Sequence, residues 1–271
     1  MPELPEVETT RRGIAPHVEG KKVIKVIVRQ PKLRWPISPE ISTLLPGLTI
    51  KRVKRRAKYL LIETEKGTLI IHLGMSGSLR VINANILPEK HEHIDIIFND
   101  NKCLRYKDPR RFGCLLWTST PIQQHKLIQH LGPEPLSDAF DLANFYPKAK
   151  SKKVAIKRLI MDGHIVVGVG NIYASEALFL SGIHPKRTAN NISKTRLSNL
   201  VIAIKDILAQ AIEQGGTTLK DFVNSEGKPG YFQQTLNVYG RAKQPCTHCK
   251  TPIKQIVIGQ RSTFYCPQCQ R

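Results

Sequence analysis

The first residues of the chain, Met1-Pro2-Glu3, combine a candidate nucleophile with a neighbouring carboxylate. Pro2 is small enough for the initiator methionine to be removed, which would leave its nitrogen as a free secondary amine. An α-amino group has an unperturbed pKa of about 8, so an appreciable fraction is nucleophilic at neutral pH. Such an amine can attack the anomeric carbon of a sugar and form an iminium, with Glu3 as general acid or base. By themselves these residues indicate only a helix start, so the interpretation depends on the rest of the chain.

Four cysteines near the C-terminus have the spacing of a metal site. They form two C-x-x-C pairs separated by sixteen residues: Cys246, Cys249, Cys266 and Cys269. This spacing is typical of a structural zinc site closed by four thiolates. The residues between the pairs read as two strands joined at 259–262, which puts Arg261 at the tip of a zinc-bound hairpin. Two redox pairs are the alternative, although no thioredoxin-like pattern accompanies them, and His248 is a less suitable substitute ligand.

The charge of the chain indicates a polyanionic partner. The 271 residues include 42 Lys+Arg against 21 Asp+Glu, a formal net charge of +21, on a composition that is 41% hydrophobic. So much positive charge on a globular composition favours nucleic acid as the partner. No apolar run approaches membrane-spanning length, the N-terminus does not resemble a signal peptide, and the clustered cysteines favour a reducing compartment. We therefore expect a cytoplasmic protein without a membrane partner.

The elements that must position these residues divide into a β-rich part and a helical part. A short helix over 5–18 comes first, and turn residues then separate short β-rich runs at the spacing of a sandwich or barrel. The predicted strands are 23–28, 48–53, 59–63, 68–73, 79–82, 94–98 and 113–117. A helix over 121–131 leads to the candidate boundary Gly132-Pro133-Glu134-Pro135. Further helices are predicted over 138–146, 153–161, 171–180 and 193–214, the last capped by Ser193 and stopped by Gly215-Gly216.

Three segments of the chain have residues suited to nucleic acid. Six of the eight residues 51–58 are basic. Most of them are best explained as a solvent-exposed face, but Lys58 directly precedes an apolar strand. Two loops contain glycine: loop 74–77 includes Met75, and loop 108–113 includes Arg110 and Phe112. Such residues can wedge between bases and fill the gap of a flipped nucleotide, although core packing is the alternative. Gly168-Val-Gly170-Asn171 enters a helix whose amides can bind a phosphate, or it is a plain cap.

Together and in this order, these motifs resemble the bacterial formamidopyrimidine-DNA glycosylases, also called 8-oxoguanine glycosylase/AP lyases. The resemblance covers essentially the whole chain. It rests on Pro-Glu-Leu-Pro-Glu-Val-Glu at the start, Lys58, the Met75 and Arg110/Phe112 loops, Gly-Val-Gly-Asn-Ile-Tyr-Ala-Ser-Glu from Gly168, and the four-cysteine finger with Gln260-Arg261. Ala57, where this family is expected to have glycine, and Met161 to His164 depart from the pattern without touching the proposed chemistry; Ala57 should only stiffen its turn.

The resemblance implies an α+β multidomain fold. An N-terminal catalytic β-sandwich (1–131), a helix–two-turns–helix DNA-binding domain (132–239) and a C-terminal zinc-finger β-hairpin (240–271) are expected. It also implies a bifunctional glycosylase and AP lyase that excises 8-oxoguanine and formamidopyrimidines in base excision repair by β,δ-elimination. The expected partner is double-stranded DNA with oxidised purines or abasic sites, bound by a monomer that holds one structural zinc ion.

The resemblance assigns a role to each site residue. Pro2 would form the Schiff base, Glu3 would donate a proton, and Lys58 would assist β-elimination. Arg261 would contact phosphate and help the second elimination. The residues implied to contact DNA are His72, Met75, His91, Arg110, Phe112, Lys153 and Asn171. Those implied to border the lesion pocket are Glu6, Thr217 and Tyr239.

Two other functions stay open from the residues. An endonuclease VIII-type enzyme for oxidised pyrimidines would use the same Pro2-Glu3 pair, but Leu4-Pro5 and the intact Arg110-Arg111-Phe112 loop favour the purine-directed branch. A zinc protein that binds damaged DNA without catalysis would have lost Pro2, Glu3 or Lys58.

Overall fold

The computed structural model describes residues 2–216 and 236–271. They form two compact units, which we call the sandwich unit (residues 2–129 and 214–216) and the helical unit (residues 130–213 and 236–271). The α+β class predicted from the sequence is confirmed. In these ranges no helix has the length and apolar character needed to cross a membrane.

The sandwich unit consists of helix α1 (Leu4–Val18), a short helix α2 (Glu40–Thr43) and two four-stranded antiparallel sheets. One sheet has the order β1-β6-β7-β5 and the other the order β2-β3-β4-β8. The strands are β1 (Val23–Val28), β2 (Arg52–Arg56), β3 (Tyr59–Glu63), β4 (Thr68–His72), β5 (Ser78–Asn83), β6 (Glu92–Phe98), β7 (Lys102–Lys107) and β8 (Cys114–Thr118).

Alternate residues of both sheets share one buried core. Leu60 and Ile71 come from one sheet, Ile96 and Leu104 come from the other, and all are at most 2% exposed. Because side chains alternate across a strand, this places one face of each sheet inside and the other outside. Helix α1 adds Ile14 to the same core and contacts β2, β3 and β5.

The secondary structure predicted for this unit from the sequence differs from the structure in three places. Strand β7 was not predicted, because Arg105 interrupts its apolar pattern; in the structure Arg105 is 2% exposed and donates to Asp95 at 2.7 Å. Strand β2 begins at Arg52, not at residue 48, so that the basic run itself pairs with β3. The segment 121–131 forms only a 3-10 turn (Ile122–Gln124), because Ile128 is its one buried residue and a lone helix of this length needs packing.

The helical unit is built around α5 (Asn171–Leu180), which is buried over most of its length. The other elements are α3 (Leu142–Lys150), α4 (Ile156–Ile160), α6 (Lys194–Glu213), β9 (Lys254–Ile258) and β10 (Arg261–Tyr265). Helix α5 contacts α4, α6 and β10. The bounds predicted for α5 are confirmed, whereas α3 starts later than predicted because the Asp141 side chain caps it, accepting from Asn144 N at 2.7 Å.

Candidate active site and metal centre

The N-terminal pair lies at the start of α1. Glu3 is the cap residue of this helix, and a reciprocal capping box joins it to Glu6, with Glu3 N donating to Glu6 Oε2 at 2.8 Å. Pro2 is buried, and Glu3 and Glu6 are 3% and 0% exposed. The candidate nucleophile and carboxylate are therefore attached to a fixed helix end.

Lys58 lies in a two-residue turn between β2 and β3. Arg56 pairs with Tyr59, which leaves Ala57 and Lys58 as the turn. Ala57 has φ +53, in the left-handed region where a β-carbon costs about 1–2 kcal/mol. A glycine would avoid this strain, so the alanine affects the turn more than by stiffening it.

His72 ends β4 and lies near Lys58. Its Nδ1 accepts a hydrogen bond from Gly74 N at 3.0 Å, and its ring lies against Tyr59. Burial, with the positive charges of Lys58 and Arg34, lowers the pKa of His72 to about 4. The imidazole is therefore neutral at pH 7, and with Nδ1 accepting, its proton is on Nε2, which can donate to a phosphate.

A buried carboxylate joins the two candidate wedge loops. Asp108 is 0% exposed, and its Oδ1 accepts from Ser76 Oγ at 2.6 Å. Its Oδ2 accepts from Tyr106 Oη at 3.1 Å and Gly113 N at 2.9 Å. Ser76 Oγ in turn accepts from Arg110 N at 3.1 Å. The loop with Met75 and the loop with Arg110 and Phe112 are thus one hydrogen-bonded assembly.

Glycines let these loops approach each other closely. A β-carbon on Gly74 would overlap the backbone of Phe112 and Gly113. One on Gly113 would overlap the Tyr106 hydroxyl and lie 2.7 Å from the carbonyl oxygen of His72. Side chains are excluded at both positions.

The side chains predicted to enter DNA differ in exposure. Arg110 is exposed and lies over the ring of Phe112, itself 46% exposed, at 4.9 Å from its centroid. Met75 and His91 are partly buried. His91 accepts from Asp108 N at 3.0 Å through its carbonyl oxygen, so it lies beside the same assembly.

In the helical unit, a buried lysine joins Asn171 to the C-terminal hairpin. Lys157, 1% exposed, donates from Nζ to Asn171 Oδ1 at 2.6 Å and to Thr263 Oγ1 at 2.7 Å. Asn171 Nδ2 donates to Ser262 O at 2.9 Å. Asn171, predicted to bind phosphate, is therefore also a structural link to the strand that starts at Arg261.

The two cations predicted to meet the DNA backbone are exposed. Lys153 precedes α4, and Arg261 is the first residue of β10. The preceding residues Gly259 and Gln260 have φ values of +56 and +61, as in a type I′ hairpin turn. Arg261 therefore begins the strand directly after the turn at 259–260, whereas the sequence predicted it at the tip of a turn over 259–262.

The four cysteines form a compact cluster. Their Sγ atoms all lie within 4.8 Å of one another, with 3.9 Å between Cys246 and Cys269 and 3.4 Å between Cys249 and Cys266. A tetrahedral zinc ion with bonds of about 2.3 Å needs sulfur separations of roughly 3.8 Å, so the cluster fits it. His248 is not in the cluster and lies against the ring of Phe179 at 4.8 Å. The zinc site predicted from the spacing is confirmed.

Glu176 is a structural residue to which the sequence analysis assigned no role, although it ends the motif that starts at Gly168. It is 0% exposed, and its carboxylate accepts from three consecutive backbone amides, those of Asn237 at 2.8 Å and of Val238 and Tyr239 at 2.9 Å. An acidic residue inside an otherwise apolar helix is the signal that could have found it, because such a group needs buried donors.

The residues predicted to border the lesion pocket are spread over the chain. Glu6 is in the sandwich unit, Tyr239 is in the helical unit, where its ring meets Phe264 at 5.1 Å, and Thr217 lies outside the described residues. Gly216, with φ +82, directly precedes Thr217; a β-carbon there would lie 3.2 Å from the Glu6 carboxylate.

Comparison with known proteins decides the family. The sequence matches the formamidopyrimidine-DNA glycosylase N-terminal domain over residues 1–115, the H2TH domain of the same proteins over 131–223, and the zinc finger found in FPG and IleRS over 243–271. The chain belongs to the formamidopyrimidine-DNA glycosylase family.

Relatives of this family match over their full length. The chain is 58% identical to the formamidopyrimidine-DNA glycosylase of Pseudomonas savastanoi and 56% identical to that of Methylococcus capsulatus, with 100% of each chain covered. Among solved structures, MutM (Fpg) of Thermus thermophilus is 38% identical with a TM-score of 0.89, covering 99% of this chain and 98% of that one. Lactococcus lactis Fpg in complex with DNA containing FAPY-dG is 34% identical with a TM-score of 0.92, covering 99% and 100%.

The cysteine cluster predicts a specific metal dependence. We expect Cys249→Ser to lose the single zinc ion and weaken DNA binding, because three thiolates cannot close the tetrahedral site. Elemental analysis and a DNA-binding titration measure both. Cys103→Ala, at a buried cysteine outside the cluster, is the control and should keep one zinc per chain. Full zinc content in Cys249→Ser, or an iron–sulfur spectrum in the unaltered protein, would contradict the assignment.

The close packing around Gly113 predicts the effect of adding a single methyl group there. Gly113→Ala should lower the free energy of unfolding by about 1–3 kcal/mol, because the new β-carbon overlaps the Tyr106 hydroxyl. Gly163→Ala is the matched control, since the nearest atom to its β-carbon would be 3.7 Å away. Urea denaturation measures both, and equal stability of the two variants would show that Gly113 is not closely packed against Tyr106.

His72 predicts a pH dependence. Its pKa is about 4 in the folded chain and about 6.5 in an unfolded one, so the unfolded state binds more protons between these values. The free energy of unfolding should therefore fall as the pH drops from 6.5 to 4, by up to about 3 kcal/mol from this group. His72→Asn keeps an acceptor for Gly74 N and cannot titrate, so denaturation curves should show a smaller loss. An identical loss in both proteins would exclude a depressed pKa at His72.

Proposed function

We propose that this chain removes oxidised purines, such as formamidopyrimidines and 8-oxoguanine, from double-stranded DNA and cleaves the strand at the resulting abasic site. Its place is in base excision repair in the bacterial cytoplasm, and it acts as a monomer. The observation that carries the proposal is the buried, capped start of α1, where Pro2 follows a removable methionine and precedes Glu3.

Pro2 is the nucleophile of this reaction. Once Met1 is removed, the Pro2 nitrogen is a secondary amine, and its unprotonated fraction is nucleophilic. The amine attacks C1′ of the damaged nucleotide and gives up its proton, the glycosidic bond breaks, and the base leaves with the bonding electron pair and takes up a proton. Glu3 delivers the proton that allows the sugar ring to open, and the product is a protein–DNA iminium.

Strand cleavage follows from the iminium. The positive nitrogen draws electrons from the sugar, so the proton on C2′ becomes acidic and its loss expels the 3′ phosphate by β-elimination. A second, δ-elimination expels the 5′ phosphate and leaves a one-nucleotide gap. Lys58 assists the first elimination, and Arg261 holds a phosphate of the strand with its planar fork.

The wedge loops turn the damaged nucleotide out of the duplex. Arg110 and Phe112 are exposed at one loop, and Met75 lies on the loop joined to it through Asp108. They fill the space that the damaged base leaves in the duplex, which offsets the cost of unstacking. Glu6, in the first turn of α1, borders the pocket that receives the base.

The DNA backbone is held by donors from both units. His72, neutral with its proton on Nε2, and His91 contact phosphates from the sandwich unit, and Lys153 and Asn171 contact them from the helical unit. The four cysteines would hold one zinc ion, whose part is structural because all four ligand positions are thiolates. Through these four ligands the ion would stabilise β9 and β10, and with them Arg261.

Covalent chemistry at Pro2 has a direct test. Borohydride should trap a protein–DNA adduct on an 8-oxoguanine duplex, and mass spectrometry should find the sugar attached to a peptide that starts at Pro2. An uncleaved N-terminal tag should abolish strand cleavage because it converts the amine to an amide, whereas the same tag at the C-terminus is the control. An adduct on Lys58 or another lysine would overturn the assignment.

A further inference from the structure

A single guanidinium connects α1 to the turn that contains Lys58. Arg55 Nε donates to Glu8 Oε2 at 3.1 Å, and Arg55 Nη1 donates to the carbonyl oxygen of Ala57 at 2.9 Å. The side chains of Arg55 and Glu8 are only 13% and 11% exposed. The pair is therefore shielded from water, and the planar fork gives the bonds to Glu8 and Ala57 fixed directions.

Glu8 is an ionised anchor for this guanidinium. Besides Arg55, it accepts from Arg11 Nη2 at 2.8 Å and Arg12 Nε at 3.0 Å. Burial alone would raise the pKa of Glu8, but hydrogen bonds from Arg11 and Arg12 and the charges of Arg11 and Arg55 hold it below its usual value. Because Glu8 lies on α1, the anchor belongs to the helix that begins next to Pro2 and Glu3.

The bond to Ala57 acts on the peptide unit that leads into Lys58. The carbonyl oxygen of Ala57 lies in the plane of the Ala57–Lys58 peptide, so fixing this oxygen fixes that plane and the position of the Lys58 Cα. Ala57 itself is held at φ +53. A non-glycine residue persists in that conformation only where its surroundings restrain it, and the bond from Arg55 is such a restraint.

We propose that Glu8 and Arg55 are positioning residues for Lys58, which they act on through the Ala57–Lys58 peptide. This inference rests on the role of Lys58 in the proposed function. A misplacement of about 1 Å can cost two orders of magnitude in rate, so the Lys58-dependent step should be sensitive to the geometry of this pair even when its charge is kept.

Arg55→Lys distinguishes the effect of the positive charge from the effect of the planar guanidinium. A lysine can still neutralise Glu8, but it has no planar fork to hold the Ala57 oxygen at the same time. Strand cleavage of an abasic-site duplex, measured in single turnover at saturating enzyme, should slow about tenfold or more. Lys54→Arg, an equally conservative change at the exposed Lys54–Glu63 ion pair on the same strand, should leave the rate unchanged.

A double-mutant cycle tests whether the effect passes through Lys58. In a Lys58→Ala background, Arg55→Lys should cause no further slowing, because the group that it positions is gone. Glu8→Asp, which shortens the anchor but keeps its charge, should behave like Arg55→Lys. Rates are compared at a temperature at which circular dichroism shows every variant to be folded. An equal slowing with and without Lys58, or no slowing by Arg55→Lys, would overturn the inference.

A second measurement is independent of catalysis. The charge of Lys58 contributes to the low pKa of His72, so displacing Lys58 should raise the pKa of His72 in an NMR titration of Arg55→Lys but not of Lys54→Arg. An unchanged titration of His72 in Arg55→Lys would count against the inference. If the unaltered protein formed no adduct and cleaved no DNA, the proposed function would fail, while the titration would still decide whether Arg55 positions Lys58.

Discussion

A carboxylate removed from water needs donors for its oxygens, and the functional segments of this chain depend on that constraint. Asp108 joins the two wedge loops, and Glu176 binds the chain at 237–239. Glu8 binds Arg55, which in turn binds the carbonyl oxygen of Ala57 next to Lys58. Counting backbone and side chain together, each of the three acidic residues is 8% exposed or less. The protein has twice as many basic as acidic residues. These three acids stabilise the fold, and the excess of basic side chains favours binding to DNA.

These contacts supply what the apolar core cannot. Apolar packing holds the two sheets of the sandwich unit together, whereas directed hydrogen bonds join the loops at Ser76 and Arg110. A buried carboxylate that accepts several directed hydrogen bonds gives such loops a defined shape. Lys157 is the cationic counterpart in the helical unit, because it joins Asn171 to Thr263 and so relates a helix start to the zinc-bound hairpin.

Much of this arrangement was predictable because its signals are local. The bounds of α5 follow from a glycine pair before an apolar run, β3 is a simple apolar strand, and the metal site follows from cysteine spacing alone. Strand β7 was missed because Arg105 is paired with Asp95 inside the unit. From the sequence alone, charged residues of a buried ion pair cannot be told from charged residues at the surface. The link from Ser76 to Asp108 spans 32 residues, so no local pattern could have indicated it.

The close packing at Gly74 and Gly113 has a consequence for how a protein inspects DNA. Side chains that order only on contact lose conformational entropy at every site tested, and this loss is repeated along the duplex. Here the backbone under Met75, Arg110 and Phe112 is set in advance by Asp108 and by glycines that leave no free space. If these residues wedge into DNA as proposed, each trial insertion costs mainly the unstacking of the DNA itself, and a weakly stacked damaged pair is distinguished from an intact one by that difference.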